Sequence, residues 1–338
     1  MPPIPPMPTT LPRSRRHGLL AMIAAAALAG CGAAPEAPSA AEQAAAAARA
    51  AAEAEAQRRH AEAVAAWRAE RLARLQQPDG WLALVGLHWL EPGHAIVGSG
   101  PARGVRLAVG PEELGVITLE RDGRVHFRAT RGAGVTLDGR PAPATTQRLR
   151  TDADPAGPTV VGFNRGDASF IVIERGGRHA LRVRDALAPT RTGFSGIDHF
   201  PVDPGWRLVG RFEPHPPGQT LAIVNMQGQE ENRANPGAVV FEKDGRLFRL
   251  EAVDEGDGRL FFVFADRTSG HETYAAARFL YADPADAEGR VVLDFNLAYN
   301  PPCAFTPYST CPLPPPGNRL DLRVEAGEKK PRPPGPAA

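Results

Sequence analysis

The chain has 338 residues, with 43% hydrophobic and 23% charged side chains and a formal net charge of +1 at pH 7. That balance suits a globular body and argues against a nucleic-acid partner, which calls for a basic surface. Glycine and proline each number 35, which favours many short strands and tight turns.

Residues 1–30 read as a lipoprotein signal peptide. Arg13, Arg15 and Arg16 form a positive segment, and Gly18 to Ala29 is an apolar run too short to span a bilayer comfortably. It ends in Leu28-Ala29-Gly30-Cys31, which resembles a bacterial lipobox, so Cys31 is the expected lipidation site. The mature chain would then be held by acyl chains rather than by a spanning helix. Gly32 follows the cysteine, with no aspartate beside it. That points to an outer-membrane lipoprotein facing the periplasm.

Residues 31–41 are rich in alanine, proline and serine and read as a flexible tether. Residues 42–77 are dominated by Ala, Glu, Gln and Arg, which favour helix. Trp67, Leu72 and Leu75 give only the last turns an apolar face, so the helix is expected to be half spacer and half docked. Pro78 ends it.

Residues 78–188 carry short alternating runs separated by turn signals such as Asp138-Gly139 and Arg175-Gly176-Gly177-Arg178. Residues 189–329 repeat the pattern. The predicted fold is mainly β. Two antiparallel sandwich-like or barrel-like regions pack together behind an Ala-rich N-terminal helix. Residues 330–338 are expected to be a disordered tail. Gly196 directly follows Ser195 and Ile197 stands where the second glycine is needed, so the Gly-x-Ser-x-Gly elbow of a hydrolase is absent.

The candidate site lies near the C-terminus. A hairpin of Glu272–Tyr281 with Val291–Asn296, centred near Asp286, would set Arg278 opposite Asp294. Glu272, Tyr274, Arg278, Asp294 and Asn296 would then share one face, with Phe279, Leu293 and Phe295 on the other. Two readings stay open for that polar face: a solvated surface with a cross-strand ion pair, or the lining of a pocket. Tyr299, Asn300 and Asn318, on the proline-rich segment that follows, complete the candidate set.

Cys303 and Cys311 flank the sequence AFTPYST. In an oxidising compartment a disulfide is the default, worth roughly 2.5 kcal/mol in the chain-entropy model. A metal pair or reduced thiols are the alternatives. The spacing of cysteines and histidines does not suit zinc, so no metal and no cofactor are expected.

The segments GWLALVGLHWLEPG, FIVIERGGRHALRVRD, FPVDPGWRLVGRFEP, FADRTSGHETYAAARFLYAD and LDFNLAYNPPCAFTPYSTCPLPPPGNRLDLRVEAGEK resemble the domain-of-unknown-function family 1684. The resemblance runs from about Arg71 to Lys329. It implies a prokaryotic domain, often behind a lipoprotein signal, with no activity to carry over. Its signature positions fall on Glu272, Thr273, Tyr274, Arg278, Asp294, Asn296, Tyr299, Asn300, Pro301, Cys303, Cys311, Pro312, Asn318, Gly327, Glu328 and Lys329. Ala275 and Ala277 stand where relatives are expected to carry glycine.

Two functions follow. The first is a membrane-anchored binding or structural module that meets a small molecule or an envelope protein. The second is a hydrolase with Glu272 or Asp294 as general base and Arg278 as anion clamp. A neighbouring arginine would lower the pKa of Asp294, which favours Glu272 as the base.

Overall fold

The protein is described by a computed structural model that covers residues 39–101 and 104–332. The expected signal peptide, Cys31, most of the tether and most of the tail lie outside the described residues.

The N-terminal helix runs from Ala40 to Leu75. It starts two residues before the expected position because Ser39 caps it. The Glu42 N–H donates to the Ser39 hydroxyl at 3.3 Å, and the Ser39 N–H donates back to the Glu42 carboxylate at 2.7 Å. This reciprocal pair is a capping box. Further along, His60, Val64, Trp67, Arg71 and Leu75 recur at helical spacing and share one face. Val64, Arg71 and Leu75 are buried there. Among the described residues no helix is long and apolar enough to cross a membrane.

The body is mainly β, as the alternation predicts, and its sheets are almost wholly antiparallel. Among the described residues no sheet closes into a barrel. A six-stranded sheet, which includes Leu84–Trp89, Ala168–Arg175 and Arg178–Asp185, faces a five-stranded sheet that includes Gly115–Leu119 and Val125–Ala129. Alternate residues of both fill one core, with Phe127 edge-on to Phe170 at 5.6 Å. Such a pair adds roughly 0.5–1.5 kcal/mol to the burial of its area.

A second core lies between a four-stranded and a three-stranded sheet. The first includes Arg207–Pro214, Gly237–Lys243, Arg246–Glu251 and Arg290–Asp294, and the second includes Leu260–Phe264 and Arg278–Ala282. Phe295 sits at the centre of this core, in contact with Trp206, Phe241 and Phe264.

The expected final hairpin does not form. Arg278–Ala282 pairs with Leu260–Phe264, setting Arg278 against Phe264. Arg290–Asp294 pairs instead with Arg207–Pro214, setting Asp294 against Arg207. The reason is burial. Leu260–Phe264 is buried at every position, and Arg278–Ala282 at all but Tyr281. A polar-out hairpin needs one wet face, whereas these strands are covered on both. Leu260, Phe262 and Phe264 point into the second core, while Phe261 and Val263 point the opposite way. That opposite face forms the wall of a cavity.

Candidate ligand pocket

The cavity has a volume of about 360 Å³, at the small end of the roughly 300–1,000 Å³ typical of ligand pockets. Its apolar wall comes from the outer face of the three-stranded sheet. Phe261, Val263, Phe279 and Tyr281 line it, together with Ile223, Val253 and Tyr299. The aromatic rings brace one another: Phe261 lies edge-on to Phe279 at 5.0 Å, and Tyr281 stacks on Tyr299 at 6.3 Å. Burial pushes the phenol pKa of both tyrosines up, so they stay neutral donors.

The opposite wall is basic. Arg182 and Arg184 stand two residues apart on the Arg178–Asp185 strand and so share one sheet face. The cross-strand neighbours of Arg182 are Leu87 and Ile171, which offer it no acceptor. Its Nη2 donates to the Thr310 hydroxyl at 3.2 Å, but its Nε is buried with no partner. The Nε of Arg184 is buried and unpartnered too. Burial, aided by the like charge of Arg175, pushes the Arg182 pKa down to about 10. Burial also lowers that of Arg184, against the attraction of Asp79.

The acidic residues of the lining are engaged elsewhere. Glu231 and Glu255 both pair with Arg233, and Glu255 also accepts from the Tyr281 hydroxyl. The Pro302–Pro312 segment closes one end, contributing Ser309, Thr310 and Cys311.

The residues singled out from the sequence do not gather into one pocket. Arg278 is fully buried, and its Nη1 donates to Asp266 Oδ2 at 2.9 Å and to the Val324 carbonyl at 3.0 Å. Its Nη2 donates to the Ala326 carbonyl. Asp294 instead meets His60 Nε2 at 2.6 Å. Glu272 pairs with Arg323 at the surface, and that guanidinium holds its carboxyl below the usual range. A general base needs the reverse shift. Tyr274 donates its hydroxyl to the Cys303 carbonyl at 3.0 Å.

Three asparagines act as clips between chain segments. Asn296 bridges Asp203 and Asp294. The Asn300 N–H donates to Glu328 Oε2 at 2.7 Å and its Nδ2 donates to the Lys329 carbonyl at 2.8 Å. Asn318 joins Glu251 to Val263. Of the candidate set, Tyr299 alone lines this cavity.

The expected disulfide is absent: Cys303 and Cys311 are free thiols. Hydrogen bonds occupy both sulfurs instead. The Ser309 hydroxyl donates to Cys303 Sγ at 2.9 Å, and the Cys303 N–H donates to Cys311 Sγ at 3.1 Å. The hydrogen bond from Cys311, with Ser309 assisting, brings the Cys303 pKa down to about 7, while Cys311 is pushed up.

Residues 192–329 match the family model described as protein of unknown function, DUF1684. This part of the chain is a DUF1684 domain. A solved structure similar to it is the solution NMR structure of an uncharacterized protein from gene locus rrnAC0354 of Haloarcula marismortui. The two share 30% identity over 41% of this chain and 78% of that one, with a TM-score of 0.35. No curated protein matches the chain.

The DUF1684 domain supplies the aromatic wall and the closing segment of the cavity, while Arg182 and Arg184 precede the matched range. The sequence reading missed both arginines. The signal was present in Leu181-Arg182-Val183-Arg184, an alternation with two cations on one face and Leu181 and Val183 in the core on the other. Among the described residues no group of three or more His, Cys, Asp or Glu is placed to hold a metal ion.

Proposed function

We propose that the protein is a lipid-anchored binding module of the bacterial cell envelope, facing the periplasm from the outer membrane. Its ligand seat is the cavity between the Arg178–Asp185 strand and the aromatic wall of the DUF1684 domain. The observation that carries this reading is a concave site with an apolar wall and a few convergent polar groups, the usual form of a small-molecule pocket. The lipobox ending at Cys31 supports the anchor.

Two experiments test it. The purified chain is screened against a small-molecule library by thermal shift, beside Ile223→Phe, which fills the cavity from its apolar wall. Compounds that raise the melting temperature of the wild type should fail to raise that of the variant. Equal shifts for both proteins would remove the cavity as the seat. For the anchor, Cys31→Ala should leave the membrane fraction or stay unprocessed. A processed variant that still fractionates with membranes would refute it.

A further inference from the structure

The proposed function leaves open what chemistry the cavity selects, and the inference below rests on that reading. Arg182 and Arg184 point their guanidinium groups toward a shared space, and each keeps a buried Nε without an acceptor. Leaving a buried donor unsatisfied is costly and calls for an explanation. Arg68 and Arg278 carry an unpartnered Nε as well, but only Arg182 and Arg184 carry theirs in the wall of this cavity. Among the described residues none meets either Nε, and Asp79 attracts Arg184 without accepting a hydrogen bond from its Nε. Among the lining residues four arginines face two glutamates, and both glutamates already pair with Arg233. Asp152 is held by Arg175 at 2.8 Å. The charge of Arg184 acts against that of Arg182, and burial raises the cost. Both effects are relieved by a negative charge placed between them.

The opposite wall sets a second requirement. Ile223, Val263 and Phe279 offer no hydrogen-bonding side chain, so a bare inorganic anion would leave that side of the cavity unmatched. We propose that the cavity binds a small organic anion. Its carboxylate or phosphate group sits on Arg182 and Arg184, with the Thr310 hydroxyl beside it. Its apolar or aromatic body packs on Phe279 and Tyr281. Arginine suits this task because its planar fork pairs with either oxyanion through two parallel hydrogen bonds.

The test uses the full chain in detergent and isothermal titration calorimetry with three probes: phenyl phosphate, 4-phenylbutyrate and the neutral 4-phenylbutyramide. The anions are expected to bind about tenfold or more tightly than the amide. Arg184→Gln should bring at least one anion down to the level of the amide while leaving the amide unchanged. Arg184→Lys should keep part of the preference, and raising the salt concentration should weaken the anions selectively. The wild-type anion-to-amide ratio and its salt dependence decide the matter even where a variant does not fold. Amide and anions binding alike would overturn the anion inference and leave the cavity reading standing. All three probes failing to bind the wild type would overturn both.

Discussion

Arg71, near the end of the N-terminal helix, donates from Nε to Glu328 Oε1 at 3.0 Å, and both side chains are buried. The same guanidinium donates to the Asn300 carbonyl at 2.9 Å and lies over the rings of Trp81 and Tyr299 at 4.8 and 4.7 Å. The helix, the Tyr299-Asn300 stretch and the C-terminal segment therefore meet on one side chain. Removing one partner of a buried pair leaves the other charge uncompensated. Glu328→Ala is expected to destabilise the chain by about 3–5 kcal/mol. The double variant Arg71→Met/Glu328→Met should lose clearly less than the sum of the single changes, and urea denaturation of the four proteins measures the difference. Additive losses would show that the two residues act separately.

Arg278 sets a stricter geometric demand. Its fork serves the Asp266 carboxylate and the Val324 and Ala326 carbonyls together. A lysine keeps the charge but cannot spread over all three acceptors. Arg278→Lys should therefore cost about 2–3 kcal/mol, since buried carbonyls lose their donors. A melting temperature equal to that of the wild type would contradict this.

His199 gives the fold a pH dependence. Burial, together with the nearby charge of Arg68, pushes its pKa down to about 4, and its Nε2 is buried without a partner. The unfolded imidazole takes up its proton near pH 6.5. Below that value the unfolded chain binds a proton that the folded chain refuses, so its contribution to stability falls as pH drops from about 6.5 toward 4. His199→Gln should flatten the dependence of melting temperature on pH in that window. An unchanged slope would assign the effect to other groups.

The thiols offer a chemical readout. Cys303 is partly exposed and its thiolate is favoured near neutrality, whereas Cys311 is buried and its thiolate is disfavoured. Iodoacetamide at pH 7.5 should label Cys303 first in the folded protein. After unfolding without reductant, both should label. Protection of both cysteines in that unfolded sample would restore the disulfide expected from the compartment.

The mainly β body and the N-terminal helix are legible in the sequence because period-2 alternation and an uninterrupted Ala-rich run have few other solutions. The pairing of strands is not. Arg278–Ala282 and Arg290–Asp294 are joined by a short turn-like segment, and local rules join them as a hairpin. Each instead finds its partner elsewhere in sequence, at Leu260–Phe264 and at Arg207–Pro214. For Arg278–Ala282 the partner is decided by burial on both faces, whereas Arg290–Asp294 keeps one face outward and buries Val291 and Leu293 on the other, and no local pattern encodes that difference. The same limit moved the site. A polar residue on a strand is expected to face water, yet Arg278 and Asn296 are buried against carbonyls and a carboxylate. Arg182 and Arg184 read as ordinary surface alternation until the fold sets both in the wall of the cavity, with Thr310 against Arg182.

The pairing of Arg71 with Glu328 spans 257 residues of chain. A ribosome makes the arginine first and its carboxylate 257 residues later. Until then the cation on the helix has no Glu328 to meet. The chain can assemble its first sandwich while it grows, but the helix can dock in its final place only once the C-terminal segment arrives. A stop codon just ahead of Glu328 would thus free the helix from its partner, and quality-control proteases would meet a loose helix.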